Sequence, residues 1–364
     1  LFPYTTLFRS LIRFFTLLLG VLVSVLAISL HQNTQANTNF YYSITDLGNL
    51  GGTIGGPQVD TSRLNEEEQV VGSSNIPSQS DFIRHAFLWQ NGEMTDLGTL
   101  GGKSSRATSI NNAGVIVGQS DIPTDYDGGA RHAFIWSNGT MSQLGTLGGS
   151  FSFAHDINDA GKVVGNASTS DGSRAFLYSE GTMTNLGTLP DDNGSSALSI
   201  NNAGTVVGVS FIGDLSQHAV KWQEGTITLL SDSGIASDIN ESGQIVGYTF
   251  SLNELQHTVH RAVLWQNGTM IELGTLGGNE SSAGAINNAG KVVGQSTINE
   301  TSNVRHPFVW HDGTMSDLND LLPPNSGWTL STATDINNNG QIVGTGRFNN
   351  QNKAFLLTPV LTTN

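Results

Sequence analysis

The chain has 364 residues, with 15 Lys and Arg against 30 Asp and Glu, so its formal net charge is −15 at pH 7. Nucleic acid is excluded as a partner class because phosphate binding requires a basic surface. Hydrophobic residues make up 37% and charged residues 12% of the chain, a balance that argues against acidic disorder. Because the chain contains no cysteine, disulfides, thiolate metal sites and cysteine nucleophiles are also excluded.

The first 36 residues have the features of a leader rather than of a folded domain. Residues 1–10, LFPYTTLFRS, resemble the translation of a sequencing-library adapter, and we interpret them as an assembly artefact. Within residues 11–36, Arg13 precedes a long uncharged apolar stretch, and small residues stand at Thr34 and Ala36. This pattern predicts a secretory signal peptide, with a retained N-terminal anchor as the alternative. Either interpretation places the remainder in the cell envelope or outside the cell, with membrane contact only through an uncleaved N-terminal segment.

Three short motifs then recur in fixed order through residues 41–360. The HAFLW motif at His85 returns in variant form at His132, Arg174, His218, Arg261, His306 and Lys353. The DLGTLGG motif has seven versions, which begin at Asp46, Asp96, Gln143, Asn185, Leu229, Glu272 and Asp317. The INNAGVIVG motif has seven versions, which begin at Leu64, Ile110, Ile157, Ile200, Ile239, Ile286 and Ile336. Such spacing, 42–47 residues between HAF motifs, is typical of a repeat architecture.

Each repeat predicts two β-hairpins. Asn-Gly between short apolar runs, as in HAFLWQNGEMTDLG, favours a tight turn. INNAGVIVG has the same form, with a Gly at the position that needs positive φ. In the first repeat Glu68 replaces that Gly, so we expect its turn to be built differently.

Four short strands in a repeat of this length match a propeller blade. The chain opens at Tyr41 with a DLG strand that lacks a HAF partner, and it ends with a HAF strand at Lys353 that lacks a DLG partner. Together these halves complete one blade. We therefore predict an all-β, seven-bladed β-propeller of four-stranded antiparallel blades, closed by pairing of the N-terminal strand with the C-terminal strand. An open β array is the alternative.

The strand order within each repeat resembles that of WD-repeat propellers, although the WD dipeptide and its Gly-His partner are absent. This resemblance implies that Ala107–Ile110 and its equivalents line the central axis. The HAF, DLGTLGG and INNAG-VVG motifs together resemble the HAF-repeat family of extracellular bacterial repeat proteins. The family resemblance implies export and repeated β structure, and it supplies no catalytic residue.

Alternating strand direction predicts that the two tight turns lie on one face, and that the LGTLGG crossings and variable segments lie on the other. Variable loops on a repeated frame are where binding usually occurs. The candidate binding residues on that loop face are Asp121, Asp125, Tyr126, Asp127, Asp191, Asp192 and Trp328. Acid pairs among them could bind a divalent cation or serve a glycosidase. Solvated loop acids are the plainer interpretation.

The first residue of the HAF motif forms a predicted ring of basic or titratable groups: His85, His132, Arg174, His218, Arg261, His306 and Lys353. Anion binding is one interpretation. We favour a structural role in which each side chain caps backbone carbonyls of a neighbouring crossing and keeps the blades in register, because catalysis requires one differentiated site.

The sequence contains no recognised catalytic motif. DINNNG at Asp335, with similar openings at Asp238 and Asp156, resembles the start of a calcium loop, but Gly346 occupies the position of the bidentate Glu. We therefore expect no metal or cofactor, with calcium as the alternative. The sequence predicts an exported, non-enzymatic binding or scaffold module for an extracellular protein or glycan. The alternative is a secreted carbohydrate-active hydrolase or lyase that uses loop carboxylates.

Overall fold

The computed structural model describes residues 40–52, 58–78, 83–123, 130–213, 216–252, 258–301 and 303–361. The chain divides into two compact units, residues 1–41 with 360–364 and residues 42–359. The sheets described below lie in the second unit, apart from residues 40–41 and 360–361 at the ends of two strands. No helix among the described residues is long and apolar enough to cross a membrane. The predicted leader, residues 1–36, lies outside the described residues.

The described residues form 28 strands in seven four-stranded sheets, which confirms the predicted seven-bladed propeller. We number the blades from one to seven. Blades one to three consist of β2 Val59–Leu64, β3 Val70–Asn75, β4 Arg84–Gln90 and β5 Glu93–Asp96; β6 Ser105–Ile110, β7 Ile116–Asp121, β8 Arg131–Ser137 and β9 Thr140–Gly145; and β10 Ser152–Ile157, β11 Val163–Thr169, β12 Gly172–Ser179 and β13 Thr182–Asn185.

The remaining blades follow the same order. Blades four to six consist of β14 Gly194–Ile200, β15 Val206–Ile212, β16 Ser216–Gln223 and β17 Thr226–Ser231; β18 Ile235–Ile239, β19 Ile245–Leu252, β20 Thr258–Gln266 and β21 Thr269–Glu272; and β22 Ser281–Ile286, β23 Val292–Thr297, β24 Arg305–His311 and β25 Thr314–Asp317. Blade seven consists of β26 Trp328–Ile336, β27 Ile342–Phe348, β28 Gln351–Leu361 and β1 Phe40–Asp46, and a 3₁₀ helix, Leu318–Leu321, precedes it.

Blade seven closes the ring with strands from both ends of the described chain. The β1 strand lies beside β28 in one sheet. The backbone N–H of Leu47 donates to Ala354 O at 3.1 Å, and Lys353 Nζ lies 2.9 Å from Asp46 Oδ2. The predicted pairing of the orphan DLG and HAF strands is therefore confirmed.

The hydrophobic core lies between blades rather than within them. Val71, Ala86 and Leu97 of blade one form one cluster with Ile116 and Phe134 of blade two. The aromatic residue of the HAF motif is fully buried in five blades, at Phe87, Phe134, Phe176, Phe308 and Phe355. Each blade thus buries its apolar face against a neighbour, which is why closing the ring leaves no exposed terminal blade face.

The alternation of strand direction separates two faces. The turns between the first and second strands and between the third and fourth strands define the turn face. The connections between the second and third strands and the crossings between blades define the loop face. At the six tight turns between the third and fourth strands, both central residues have positive φ, as at Asn91 (53°) and Gly92 (86°). This is the turn that the Asn-Gly sequence predicts.

The INN motif forms a closed ring of hydrogen bonds at the turn face. The first Asn of each motif is buried, and its side-chain amide donates to the backbone carbonyl of the equivalent Asn in the next blade. The bonds run from Asn65 to Asn111, Asn158, Asn201, Asn240, Asn287 and Asn337 in turn, and from Asn337 back to Asn65, at 3.0–3.2 Å. The ring has no end, since its last bond spans the junction between the first and last repeats.

The next residue of each motif forms a second, more exposed ring. Its backbone N–H donates to the side-chain oxygen of the equivalent residue in the next blade at 2.8–3.2 Å. The members are Glu66, Asn112, Asp159, Asn202, Glu241, Asn288 and Asn338, which donates back to Glu66. Asn, Asp and Glu share this position because each offers a side-chain oxygen.

The expectation that the first turn is built differently was wrong. Glu68 has φ 60°, close to the 74° of Gly114 at the equivalent position. Asn65 N also donates to Gln69 O at 3.1 Å, as Asn111 N does to Val115 O. Glu68 therefore adopts the left-handed conformation at a steric cost of about 1 kcal/mol, because the buried Asn fixes the turn around it.

A buried serine at the start of the innermost strand joins it to the preceding blade. Ser195 Oγ accepts from Ala175 N at 2.9 Å and donates to Gly187 O at 2.8 Å. Equivalent pairs of bonds are made by Ser105, Ser152 and Ser281. Each serine therefore binds both the HAF strand and the crossing of the preceding blade.

We expect Ser195→Ala to lower the free energy of unfolding by about 1–3 kcal/mol, because it leaves a buried N–H and a half-buried carbonyl without partners. Urea denaturation measures the change. Ser196→Ala is the matched control, since Ser196 is half-buried and has no side-chain hydrogen bond among the described residues; its change should stay within about 0.5 kcal/mol. Equal effects of the two substitutions would contradict the role given to Ser195.

Candidate functional site

A bulge in every innermost strand precedes a residue that, in all blades but the one with Ala285, lines the central channel. The pairing with the second strand shifts by one residue in each blade, as between Ala107 and Ser109. Bulges turn a side chain away from its regular alternation. The residues after the bulge are Arg63, Ser109, Asp156, Ser199, Asp238, Ala285 and Asp335.

The Gly of the VVG motif permits this bulge. A Cβ at Gly118 would lie 2.0 Å from Arg106 O, and one at Gly165 would lie 1.9 Å from Phe153 O. Such distances require the backbones of the first two strands to approach more closely than any side chain allows. The Gly of the VVG motif therefore recurs in every repeat because the channel wall leaves no room for a side chain there.

The prediction that Ala107–Ile110 lines the axis needs one correction. Ser109 and Ile110 line a channel cavity of about 220 Å³ at the turn face, together with their equivalents. Ala107 instead packs between blades one and two, with no exposed surface. The bulge is the reason, because it inserts a residue between the core position and the channel position.

Three buried carboxylates and one guanidinium meet in this channel. Arg63 Nη2 lies 3.1 Å from Asp238 Oδ1, and Arg63 Nη1 lies 3.2 Å from Asp335 Oδ1. Asp156 accepts from Ser109 Oγ at 2.7 Å and from Ser199 Oγ at 2.9 Å. The repeated D-I-N motif was the only sign of this cluster in the sequence. That its three Asp side chains meet in the channel could not be recognised without knowledge of the bulge.

Backbone N–H groups satisfy the remaining carboxylate oxygens. Asp335 Oδ2 accepts from Leu64 N at 2.9 Å, Asp238 Oδ2 from Ile286 N at 2.8 Å, and Asp156 Oδ2 from Ile200 N at 3.0 Å. Each of these bonds crosses between blades. They join neighbouring blades, whereas the contact of Asp238 with Arg63 joins blades five and one. The channel acids therefore have the contacts of structural groups.

Burial and charge act in opposite directions on the pKa values of Asp335 and Arg63. Burial raises the pKa of Asp335 to about 6, although Arg63 acts against this rise. Burial by itself would lower the pKa of Arg63, but the carboxylates of Asp238, Asp335 and Asp156 raise that pKa well above its ordinary value. Arg63 is therefore charged at neutral pH.

The residues considered for calcium do not form an ion-binding loop. Asp156, Asp238 and Asp335 point into the channel from three different blades and are engaged as described above. Within the described part of the chain, no group of three or more His, Cys, Asp or Glu side chains could hold a metal ion.

The predicted ring at the HAF motif lies on the third strand of each blade, away from the channel. In blades one, two, six and seven, the side chain contacts the first residue of the LG motif on the neighbouring strand. His85 Nδ1 lies 2.8 Å from Asp96, His132 Nδ1 lies 3.1 Å from Gln143, His306 Nδ1 lies 2.5 Å from Asp317, and Lys353 Nζ lies 2.9 Å from Asp46.

The other three members of this ring have different partners. His218 Nδ1 lies 2.9 Å from Asp192 Oδ2. Arg174 donates to the carbonyl of Asn193 at 2.6 Å, which is the kind of contact with a crossing that the sequence predicts. Arg261 Nη1 lies 3.5 Å from His260 O. Side-chain oxygens thus replace backbone carbonyls as the partner in most blades.

The predicted loop-face residues lie in different blades. Asp121 ends β7, where Arg131 Nε lies 2.9 Å from its Oδ1 and Ser104 N donates to its Oδ2 at 3.1 Å. Asp191 and Asp192 lie in the crossing between β13 and β14. Asp191 is exposed, whereas the Asp192 side chain, in its contact with His218, is 2% exposed.

Trp328 begins β26 in blade seven and stacks on Phe348, with ring centroids 5.2 Å apart. Asp125, Tyr126 and Asp127 lie outside the described residues. The structure therefore does not bring the described candidates, Asp121, Asp191, Asp192 and Trp328, into one site.

Two adjoining cavities on the loop face were not predicted. One, of about 220 Å³, lies between blades one and two; the other, of about 370 Å³, extends to the loop-face end of the channel. Both are lined by Arg106 and Gln119. We call them together the loop-face trough, which its residues Arg84, Arg106, Gln119, Asp121, Arg131 and Phe153 define.

Comparison with known proteins places the fold and leaves the activity open. The family described as "Protein of unknown function (DUF3466)" matches residues 269–355, within blades five to seven. No curated protein matches the chain. The β-propeller domain of the trilobed protease from Pyrococcus furiosus, described as having an open velcro topology, is similar with TM-score 0.55 and 10% identity over 85% of this chain and 96% of that one.

Two peptidases are also similar in fold. A prolyl endopeptidase structure gives TM-score 0.53 and 10% identity over 90% of this chain, and a Mycobacterium tuberculosis puromycin-hydrolyzing peptidase gives TM-score 0.52 and 11% identity over 89%. The chain spans about half the length of each, 51% and 55%. At these identities the likeness concerns the fold alone.

We expect Asp335→Asn to change the pH dependence of stability. The folded-state pKa of Asp335 is raised from 3.8 to about 6. Between those values the folded protein keeps a proton that the unfolded chain has lost, so this group's contribution to the free energy of unfolding falls as pH rises. Asn does not titrate. The stability of the variant relative to the native protein should therefore rise between pH 4 and 6, by up to about 3 kcal/mol.

Urea denaturation at several pH values measures this difference. Ala285→Ser is the matched control, because it puts a group that does not titrate at the equivalent position. Its effect on stability should be the same at every pH. A constant difference between Asp335→Asn and the native protein across the same range would contradict the account.

Proposed function

We propose that this chain is an exported, non-catalytic binding module that presents its loop face to a glycan or protein outside the cytoplasm. The observation that carries the proposal is the contrast between the two faces. The turn face is occupied by two closed rings of bonds that repeat in every blade. The loop face carries the residues that depart from the repeat.

Half-buried aromatic side chains are the first such departure. Phe151 and Phe153 stack at the loop-face end of blade three, with centroids 5.2 Å apart. Tyr248 and His260 stack in blade five at 5.0 Å, and Trp328 lies on Phe348 in blade seven as described above. Aromatic surfaces of this kind bind sugars and apolar side chains at small cost in conformational entropy.

The positions and partners of the carboxylates favour a binding function over hydrolysis. A glycosidase needs two carboxyl groups on opposite sides of one bond, typically about 5–10 Å apart. Asp121 and Asp192 lie in different blades, and each is held by its own basic partner. The channel acids are saturated by serine hydroxyls, backbone N–H groups and Arg63. A carbohydrate-active hydrolase or lyase remains the alternative function.

Export rests on the sequence of the leader. The uncharged apolar stretch after Arg13, with small residues before Asn37, supports a signal peptide or an N-terminal anchor. The motif set supports assignment to the HAF-repeat type of bacterial extracellular protein. No cofactor is part of the proposed function.

A glycan array, followed by incubation with the bound polymers, tests the proposal. We expect the purified protein to retain at least one glycan without shortening it, and the bound glycan to slow backbone hydrogen exchange at the loop-face ends of the strands. The turn between Glu224 and Gly225, on the turn face, serves as an internal control whose exchange should not change.

The opposite result is equally specific. Turnover of any bound polymer that is lost in Asp121→Asn or Asp192→Asn, and retained in the turn-face variant Glu224→Gln, would establish the hydrolase or lyase instead. Slowed exchange confined to the turn face would refute the assignment of the binding surface.

A further inference from the structure

The loop-face trough is an island of positive charge on an acidic protein. Its first cavity is lined by three arginines, Arg84, Arg106 and Arg131, and by one acid, Asp121. The whole chain carries a net charge of −15 with 15 Lys and Arg in 364 residues. Three arginines around one small cavity are therefore a strong local departure from the average surface.

Two of these arginines have a carboxylate partner and the third does not. Arg84 Nη1 lies 2.7 Å from Asp60 Oδ2, and Arg131 Nε lies 2.9 Å from Asp121 Oδ1. Arg106 is exposed, and among the described residues its guanidinium has neither a hydrogen bond nor an ion pair. Because the paired charges cancel, Arg106 supplies the net charge of the trough.

The repeat itself shows that Arg106 is not required by the fold. In each blade this position pairs with the residue after the Gly of the VVG motif. The other six blades place there Asp60, Phe153, Ser196, Ile235, Ser282 and Thr332. Side chains of every chemical type occupy the site, so no common structural function accounts for a guanidinium in blade two.

The rest of the trough offers neutral polar groups and one aromatic face. Gln119 lies opposite Arg106 in the strand register and lines both cavities; its side-chain amide has no hydrogen bond among the described residues. Phe153 lines the second cavity with Thr108 and His155. His155 Nε2 lies 2.8 Å from Asn166 Oδ1, and burial lowers the pKa of His155, which favours its neutral form at neutral pH.

This combination matches the chemistry of an acidic sugar. A planar guanidinium recognises a carboxylate or a sulfate through two parallel N–H bonds. An amide such as Gln119 both donates to and accepts from sugar hydroxyls. An aromatic ring packs against the apolar face of a pyranose. Cavities of about 220 and 370 Å³ have room for a short saccharide rather than a folded partner.

We propose that the loop-face trough binds an anionic saccharide, with Arg106 on its carboxylate or sulfate, Gln119 on a hydroxyl and Phe153 against a sugar ring. This inference rests on the proposed function and names its ligand class. Asp60 and Asp121 restrict the anion to the Arg106 side of the trough, because they neutralise the other two arginines.

Isothermal titration calorimetry at low salt tests the proposal with three probes: a galacturonic acid trimer, its fully methyl-esterified and therefore neutral form, and a sulfated disaccharide. We expect an anionic probe to bind at least tenfold more tightly than the neutral ester. Arg106→Gln should weaken that binding at least tenfold. Arg347→Gln, the same change of charge at an exposed arginine on the loop face of blade seven, should leave it unchanged.

The outcomes separate this inference from the proposed function. Preference for the uronate assigns the anion as a carboxylate, and preference for the sulfated disaccharide assigns it as a sulfate; both support the site. If a glycan from the array binds but the neutral and anionic probes and the Arg106→Gln variant are equivalent, the acidic-sugar site is refuted and the binding module stands. If no glycan or probe binds at all, both the acidic-sugar site and a glycan-binding function are refuted.

Discussion

The closed ring of asparagine amides is the interaction on which the rest of the propeller depends. Each buried Asn binds the N–H groups of its own turn through its oxygen, as Asn111 does for Ala113 and Val115 at 3.1 and 3.0 Å. The same amide donates to the next blade through its nitrogen. One side chain therefore fixes both the local turn and the position of the neighbouring blade. A buried amide with all its bonds made is stabilising, and one with a bond missing is costly, so seven blades form a cooperative circle.

This division of labour between the faces explains why the chain repeats some residues and varies others. The buried Asn and Ser stand where blades contact each other, and the bulge and the close-packed Gly stand where the first two strands of one blade meet. The exposed side chains of the loop face are free of these constraints. Arg106 stands where other blades carry Asp60 or Ile235, because no contact between blades uses that side chain. Substitutions at this position can therefore change the function without disrupting the contacts that close the propeller.

The sequence was sufficient for the blade count, the strand order and the closure, because local turn signals and the two unmatched ends determine them. It was insufficient for the side-chain contacts between blades and for one local turn. The D-I-N motifs at Asp156, Asp238 and Asp335 suggested calcium loops, whereas the bulge directs them into the channel, where Arg63 pairs with the last two. Glu68 suggested a different turn, and the neighbouring Asn65 imposes the common one. Side-chain contacts between blades leave no motif in the sequence from which they could be predicted.

The candidate site was less predictable for the same reason. The loop acids were selected because they vary, but Asp121 and Asp192 are held by Arg131 and His218. The trough is formed by strand residues of neighbouring blades. Among these, Arg106 is seen to be unusual only when the equivalent position is compared in all seven blades. An isolated arginine within a strand gives no signal of its own.

The most direct test of the ring compares two of its bonds by urea denaturation. Asn240 and Asn337 make the same two donor contacts: each donates to the next blade, at 3.0 and 3.1 Å, and to the Gln four residues on, at 2.7 and 2.8 Å. The Asn337 bond alone spans the junction between the last repeat and the first. A closed ring predicts that Asn337→Ala and Asn240→Ala each lower the free energy of unfolding by about 2 kcal/mol or more. A near-neutral Asn337→Ala beside a destabilising Asn240→Ala would show that the circle is open and would contradict the account.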